Sequence, residues 1–260
     1  MKIIIVIFAL GWCQFSFAAG GKHILVLIKT INNYPQAYVQ QKKFPSDFIK
    51  KHWDKGYVIT AVNNESHLWF VVMTKRPSYV KQVYRNSASS LNDKVKDGYN
   101  LGPSTPYWRI EDGRHGDLFI LNKVSSSDRS EHNYWHVGGT GKKLSNIVNN
   151  VWKKDLNILS VKELKDKKFR RHHITAGNVP NIMTQSYAYR KEFPNDYINN
   201  KRSELYELQS LTYCYDENKW FVLMSKYKNY LPWKYYSFDK NKDKINDLIK
   251  HKGYSIARVL

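Results

Sequence analysis

The sequence predicts a β-rich α+β protein built from about five degenerate copies of one strand–strand–helix–strand unit. Three features predict this fold class: an apolar strand that recurs along the chain, an aromatic and polar strand that follows it, and a Gly-Tyr pair that follows the predicted helices. In such repeat proteins each unit buries its apolar face against its neighbours. The chain is therefore expected to form one continuous repeat domain.

The apolar strand is the clearest repeat. Trp69–Lys75 reads Trp-Phe-Val-Val-Met-Thr-Lys, and Trp220–Lys226 reads Trp-Phe-Val-Leu-Met-Ser-Lys. Weaker copies begin at Ile24, Leu118 and His172, so that successive starts lie 45 to 54 residues apart. Short runs of β-branched and aromatic residues, closed by a polar residue and a lysine, favour strands.

A second strand and a helix follow the apolar strand. Tyr79–Tyr84 alternates aromatic and polar residues, and Met183–Tyr187 is similar, which is typical of a half-exposed strand. Phe44–Ile49 and Phe193–Ile198 share the pattern Phe-Pro-x-Asp-aromatic-Ile, which predicts the start of a helix.

The unit closes with a Gly-Tyr pair and a third strand. This pair occurs at Gly56-Tyr57 and Gly253-Tyr254, and a poorer copy stands at Gly98-Tyr99. A glycine after a helix supplies the left-handed turn that ends it, so the next strand begins at once.

These elements predict the organisation of the whole chain. The approximate units are 23–63, 68–113, 117–165, 170–215 and 219–260, within a single repeat domain over 19–260. Because the domain begins and ends on predicted strands, its first and last units can meet, which removes exposed sheet edges. We therefore expect a closed, propeller-like disc, with an open solenoid as the alternative.

Residues 1–18 carry the features of a cleaved signal peptide. Lys2 precedes the apolar run Ile3–Leu10, and Ser16-Phe17-Ala18 provides a small-x-small cleavage site. The alternative is a buried first strand. The run is shorter than the roughly 20 apolar residues that a membrane span needs. We expect a secreted or periplasmic protein with no transmembrane segment after cleavage, and the sequence does not decide between these two compartments.

The charge of the chain indicates the kind of partner. The sequence has 42 Lys and Arg against 22 Asp and Glu, a formal net charge of +20, and the cations are spread along its whole length. A field of that sign favours an anionic partner such as nucleic acid, an anionic membrane surface or an acidic polysaccharide. The alternative is that the charge serves solubility alone, and a protein partner also stays open.

The candidate ligand-binding residues are aromatic or carry amides, and they recur with the unit or lie in segments predicted to be irregular. They are Gln40, Tyr79, Gln82, Trp108, Trp135, Gln185 and Tyr187. Aromatic faces beside cations stack bases or sugars while the charge holds phosphate or carboxylate. The alternative for the glutamines is a solvent-facing strand position without function.

Few residues suggest catalysis or metal binding. If cleavage follows Ala18, Cys214 is the single cysteine of the mature chain, so no intramolecular disulfide forms and Cys214 is the weak candidate for a nucleophile. His132 and His136 have the i, i+4 spacing of a metal pair on a helix, but the repeat predicts a strand there. A single cysteine is more often buried than reactive, and we expect no cofactor and no metal.

The repeated motifs resemble a known family. Trp-x-Val-x-Met-Ser/Thr-Lys, Tyr-x-x-Gln-x-Tyr, Phe-Pro-x-x-x-Ile and Trp-x-x-Gly-Tyr-x-Ile-Thr are similar to the repeat of the DUF7477-type domain. That domain is found in C-terminal regions of plant casein-kinase-1-related kinases and in some bacterial proteins. The resemblance is strongest over Phe44–Tyr84, with a second stretch over Gln185–Lys226. The chain has no glycine-rich nucleotide loop and no His-Arg-Asp motif, so kinase activity does not carry over.

The resemblance implies a recognition module and offers no catalytic residues. Together with the charge, it favours a secreted or periplasmic, non-catalytic scaffold that binds an anionic partner through a basic, Tyr- and Trp-rich face. The alternatives are a secreted hydrolase or Cys-dependent enzyme, or an effector or toxin, with its site in a central channel. Five-unit discs that modify guanidino groups with a cysteine nucleophile are a precedent for the enzyme alternative.

Overall fold

The chain folds, in a computed structural model, into five three-stranded antiparallel sheets. The structure describes residues 23–29, 34–65, 67–75, 79–86, 94, 97, 99–109, 114–124, 135–139, 143–165, 170–179, 181–215 and 217–260. The predicted signal peptide, residues 1–18, lies outside the described residues.

The strands fall into three sets of five, according to their place in the sheet and along the chain. The middle strands of the sheets are β1 (Ile24–Lys29), β4 (Leu68–Lys75), β7 (Arg114–Val124), β10 (Arg170–Gly177) and β13 (Lys219–Tyr227). The edge strands that come next are β2 (Gln36–Gln41), β5 (Tyr79–Arg85), β8 (Trp135–Gly139), β11 (Ile182–Arg190) and β14 (Trp233–Ser237). The edge strands that close each unit are β3 (Tyr57–Glu65), β6 (Asn100–Arg109), β9 (Asn157–Lys165), β12 (Tyr206–Cys214) and β15 (Tyr254–Val259).

Four helices are described, each between two edge strands of one unit. They are α1 (Ser46–Trp53), α2 (Leu144–Trp152), α3 (Asn195–Ser203) and α4 (Phe238–His251). The helix predicted between β5 and β6 falls on residues that are largely outside those described.

Each sheet combines strands from two units. Sheet 1 has the order β14-β1-β15, sheet 2 β2-β4-β3, sheet 3 β5-β7-β6, sheet 4 β8-β10-β9 and sheet 5 β11-β13-β12. The apolar strand of one unit therefore lies between the two edge strands of the preceding unit. In sheet 1, Leu25 of β1 pairs with Tyr236 and Val259, so a strand from the start of the chain is hydrogen-bonded between two from its end.

The middle strands are apolar because both of their faces are buried between neighbouring sheets. In β4, Phe70 and Val72 pack in one cluster with β1 of sheet 1, whereas Val71 and Met73 pack in another with β7 of sheet 3. Successive side chains of a strand point to opposite faces. A continuous apolar run is therefore the sequence that such a strand requires.

The same alternation connects sheets 4, 5 and 1. Phe221 and Leu223 of β13 pack with β9, β10 and α2, while Val222 and Met224 pack with β1. Each of these strands thus contributes to two hydrophobic clusters. β6 of sheet 3 also contacts β9 of sheet 4.

All four described helices end at left-handed turns, and the sequence predicts those after α1 and α4. Gly56 and Gly253 have φ of 77° and 68°, which glycine adopts without steric cost. Asp155 and Leu205 stand at the same place after α2 and α3, with φ of 56° and 66°. Leu205 is the exception in this set, because leucine loses about 1 kcal/mol in this conformation, whereas glycine and, less often, aspartate adopt it routinely.

The structure confirms a β-rich α+β fold and refines it in two respects. The sequence did not predict that the middle strand of each sheet comes from the unit that follows the two edge strands. Trp108 and Trp135 lie in strands β6 and β8, not in the irregular segments that the sequence suggested. No described helix has the length and apolar character to cross a membrane.

Candidate functional site

Three glutamines, Gln36, Gln82 and Gln185, bridge neighbouring sheets, and we call them the glutamine clamps. Gln82 of sheet 3 accepts a hydrogen bond from the Ile59 backbone N–H (2.7 Å) and donates one to the Ile59 carbonyl (3.0 Å) in sheet 2. Gln185 makes the same pair of bonds to Ile158, both 2.7 Å long. Each side chain therefore forms a two-bond bridge to a neighbouring strand.

The third clamp shows that the arrangement repeats. Gln36 of sheet 2 accepts from the Ile256 N–H at 2.7 Å and donates to the Ile256 carbonyl at 3.1 Å, in sheet 1. Ile59, Ile158 and Ile256 each stand beside a β-bulge in an edge strand. The clamps thus satisfy backbone groups that an edge strand would leave without a strand partner.

The amide group of each clamp also donates a second hydrogen bond. Gln36, Gln82 and Gln185 donate to Thr74, Asn122 and Ser225, the residues opposite them on the middle strands, at 2.9, 2.5 and 2.8 Å. The last residues of two helices, Trp53 and Trp152, donate their indole N–H to Gln82 and Gln185. Each of these two clamps therefore ties together a helix, its own sheet and the preceding sheet.

The clamps give Gln82 and Gln185 a structural role. Their hydrogen-bonding capacity is used within the protein, and no contact of the described residues supports the ligand-binding role that the sequence predicted. Gln40 also lies on β2, but its Nε2 is buried without a partner among the described residues, and Gln36 holds the clamp position instead. Thr74 could have identified Gln36. Thr74 and Ser225 occupy the same position of the Met-Ser/Thr-Lys motif, and they pair with Gln36 and Gln185, respectively.

The other predicted binding residues are separated in the structure. Tyr187 is half-buried and packs on Phe221, with ring centroids 5.6 Å apart. Tyr79, Trp108 and Trp135 lie on β5, β6 and β8, and the structure does not describe their side chains. Their binding roles remain predictions.

Cys214 lies at the end of β12 in the core, with 1% of its surface exposed. Burial raises the pKa of its thiol, and the negative charge of Glu163 raises it further. Both effects oppose the thiolate that a nucleophile needs. The catalytic role of Cys214 stays a prediction that its surroundings do not support.

The predicted histidine pair falls partly outside the described chain. His136 lies on strand β8, as the repeat predicts, so its backbone is not helical. His132 lies outside the described residues. Within the part of the chain that the structure describes, no group of three His, Cys, Asp or Glu side chains is arranged to hold a metal.

Three buried polar side chains and one half-buried lysine form what we call the central polar cluster: His23, Asn63, Thr105 and Lys162. Asn63 Oδ1 accepts from Thr105 Oγ1 at 3.3 Å and from Lys162 Nζ, and Asn63 Nδ2 lies 3.3 Å from His23 Nδ1. His23 precedes β1, and the other three lie on β3, β6 and β9, so four sheets meet at this cluster. The sequence analysis identified none of these residues, because they come from four distant segments.

Burial determines the charge states in this cluster. It lowers the pKa of Lys162 to about 8, and the nearby Glu65 opposes this shift. It lowers the pKa of His23 to about 3, helped by the positive charge of Lys162. At neutral pH His23 is therefore an uncharged imidazole, and Lys162 keeps its proton.

A second chain of polar contacts links sheets 1, 5 and 4. Arg258 lies 3.6 Å from Glu207 Oε2 and donates to the Tyr227 hydroxyl at 3.0 Å. Tyr227 donates to Gln209, which in turn donates to the Leu159 carbonyl, both at 2.6 Å. Burial raises the pKa of Glu207, and the charge of Arg258 opposes that rise. These bonds are made within the protein, so they connect sheets and leave little capacity for a ligand.

Several cations and aromatic rings meet at one end of sheet 5. We call this the basic aromatic surface, formed by Lys201, Arg202, Tyr206, Lys226 and Tyr230. The Nζ atoms of Lys201 and Lys226 lie 4.9 Å and 5.7 Å from the centroid of the Tyr206 ring. Both ammonium groups therefore lie at cation–π distance from one tyrosine.

Arg202 extends this surface towards sheet 1. Its guanidinium lies 5.9 Å from the Trp233 ring centroid, and its charge opposes the rise in the pKa of Tyr230 that burial causes. Lys201 donates to Glu204 at 2.7 Å, whereas Lys226 and Arg202 form no ion pair with any described residue. Two cations of the surface are thus available to an external anion.

The fold and these contacts define a class: a β-rich α+β protein of small three-stranded sheets that are connected by polar side chains. The family model described as a domain of unknown function (DUF7477) matches residues 13–162. The match covers more than half of the chain, so the chain belongs to this family. The second stretch that resembles the family, Gln185–Lys226, lies outside the matched residues. No curated protein and no solved structure matches the chain significantly.

The glutamine clamps should be needed for stability. Gln185→Ala leaves the N–H and carbonyl of Ile158 and the indole N–H of Trp152 without their partner, so we expect a loss of about 3 kcal/mol in the free energy of unfolding. Gln40→Ala is the matched control on the same kind of strand and should cost clearly less. Urea denaturation measures both variants, and equal losses would contradict the clamp.

His23 should make the protein sensitive to mild acid. Its pKa is about 3 in the folded protein and near 6.5 in the unfolded chain, so only the unfolded state takes up a proton between these values. Stability therefore falls as the pH falls through 6.5, by about 2 kcal/mol between pH 7 and pH 5 from this residue.

The measurement is the difference between wild type and His23→Asn in urea denaturation at these two pH values. Other titrating groups contribute to both proteins and cancel in the comparison. A wild type that loses no more stability than the variant would show that His23 is not held neutral by burial.

Proposed function

We propose that this chain is a secreted or periplasmic, non-catalytic scaffold that binds an anionic partner through the basic aromatic surface. The observation that supports it best is the grouping of Lys201, Arg202 and Lys226 around the rings of Tyr206 and Trp233. Cations that contact an aromatic face are held in place, so less conformational entropy is lost when an anion binds them.

The charge of the chain supports an anionic partner. The formal net charge is +20, so a long-range field draws an anion towards any surface where cations are concentrated. The features of a signal peptide in residues 1–18 support export.

The scaffold is, in this proposal, a closed propeller-like ring of the five sheets. Support comes from the packing of the middle strands: β1 packs with β4 and β13, β4 with β7, and β13 with β10. The contact between β6 and β9 joins sheets 3 and 4, which are the remaining pair of neighbours in the ring. In such a ring the central polar cluster occupies the middle, where His23, Asn63 and Thr105 are fully buried. The three clamps then hold sheet 2 against sheet 1, sheet 3 against sheet 2 and sheet 5 against sheet 4.

An enzyme is less well supported. The thiol of Cys214 has its pKa raised by burial, and the polar groups that meet between sheets bond to one another. The contacts of the described residues leave no nucleophile and general base paired at a surface. We therefore assign binding, not turnover, as the function.

Binding can be tested by a salt titration of the chain lacking residues 1–18 against three probes: vesicles containing phosphatidylglycerol, heparin and single-stranded DNA. The double variant Lys201→Gln, Lys226→Gln should weaken binding to the preferred probe by ~10-fold or more, because a hydrogen bond from a charged group to the anion contributes on the order of 1 kcal/mol. Lys50→Gln, Lys51→Gln removes the same charge from exposed positions on α1 and should change affinity much less.

Two outcomes would overturn the proposal. One is an equal loss of affinity in both double variants, which would assign binding to net charge alone. The other is the absence of binding to all three probes near physiological ionic strength, where exposed charges are screened beyond about 8 Å.

A further inference from the structure

Leu205 occupies a backbone position that is costly for a leucine. At the equivalent turns after α1, α2 and α4 the chain has Gly56, Asp155 and Gly253, all with positive φ, as Leu205 has at 66°. No atom lies within 4 Å of a Cβ added at Gly56 or Gly253. A larger residue would therefore fit at both positions, and the positive φ is the reason for glycine there. A leucine in this region is strained because its Cβ crowds the backbone carbonyl.

The side chain of Leu205 is only about half-buried. It is 48% exposed, one of few large apolar side chains among the described residues with so much contact with water. A residue that combines backbone strain with this exposure suggests a function at that point of the surface.

A second exposed apolar side chain lies at the same end of the sheet. Met183 is 60% exposed and stands in a β-bulge at the start of β11, between Ile182 and Thr184. Tyr206 and Thr184 are both in register with Lys226 of β13. Leu205 and Met183 precede these two residues, so they lie on either side of β13, roughly 10 Å apart across two strand spacings.

Cations surround these two apolar side chains. Lys226 lies between their strands, Lys201 contacts the Tyr206 ring next to Leu205, and Lys228 is exposed just beyond the end of β13. Among the described residues of this group, the paired carboxylate is Glu204, which bonds to Lys201. This part of the surface thus combines two exposed apolar side chains with nearby cations.

We infer that this end of sheet 5 docks on an anionic phospholipid membrane. Leu205 and Met183 enter the boundary between headgroups and acyl chains, and Lys201, Lys226 and Lys228 contact lipid phosphates. This combination of projecting apolar side chains and flanking cations is what an interfacial membrane surface requires. The inference rests on the proposed function, because it names the anionic partner of the same surface.

The exposed apolar side chains favour a lipid surface over the other anions. A nucleic acid or a polysaccharide can neutralise the lysines, but it offers no hydrocarbon in which a leucine and a methionine are removed from water. A bilayer offers both an anionic layer and hydrocarbon directly beneath it. Of the three anionic partners considered, the membrane is the one that also removes the leucine side chain from water.

Leu205→Gly tests this inference, because the variant should be more stable and yet bind less. Glycine relieves the positive φ, so the urea midpoint should rise, which excludes misfolding as a cause of weaker binding. Partition onto vesicles of phosphatidylcholine mixed with phosphatidylglycerol should fall about tenfold in a sedimentation assay. Leu205→Met keeps an apolar side chain at the same place and should retain binding.

The outcomes separate this inference from the proposed function. If Leu205→Gly and a Met183→Ser variant both bind these vesicles like wild type while Lys201→Gln, Lys226→Gln loses binding, the scaffold binds anions but not through membrane insertion. Binding to heparin or DNA without binding to vesicles would also overturn the inference. Binding to vesicles of phosphatidylcholine alone, without dependence on phosphatidylglycerol, would overturn the requirement for anionic lipid.

Discussion

The middle strand of every sheet imposes the constraint on which the rest of the structure depends. In β1, β4 and β13 the side chains alternate between two hydrophobic clusters, so each strand needs a neighbouring sheet on both of its faces. A three-stranded sheet standing alone would expose the apolar side chains of both faces to water, which is unfavourable. Because each middle strand belongs to the unit that follows, adjacent units are joined by backbone hydrogen bonds as well as by apolar packing.

This constraint creates a second one at the sheet edges. The strands that follow each helix have no strand partner on one side, and a bulge in them points backbone groups towards the adjacent sheet. Gln36, Gln82 and Gln185 satisfy those groups with a side-chain amide, which has a donor and an acceptor at the spacing of a backbone peptide. The sheets are thereby connected without the continuous ladder that would merge them. The result is a rigid frame that presents loops and helix ends, where binding surfaces commonly lie.

How much the sequence predicts depends on whether a feature is local. The apolar strands, the Phe-Pro helix starts and the left-handed turns at Gly56 and Gly253 are determined by neighbouring residues, and they are found as predicted. The clamps depend on register between strands about 40 residues apart, so Gln40 appeared equivalent to Gln82 although Gln36 holds that place. The central polar cluster brings together four distant residues, and no local pattern indicates such a meeting. The exposure of Leu205 is also invisible in a sequence in which leucine normally indicates a core.

The proposed function depends on side chains at the surface that are not used to connect the sheets. The clamps and the central polar cluster bond between sheets, whereas Lys226 and Arg202 of the basic aromatic surface form no ion pair with any described carboxylate. In the proposed function, the residues that bind the partner are therefore different from those that connect the sheets.

Native-state hydrogen exchange of the β1 amides tests the central claim most directly. If β1 is the middle strand between β14 and β15 and is buried on both faces, the amides of Leu25, Val26 and Leu27 should exchange only through global unfolding, as slowly as those of β4 and β13. Exchange of β1 at the rate of an exposed terminal segment, while β4 and β13 remain protected, would contradict the account.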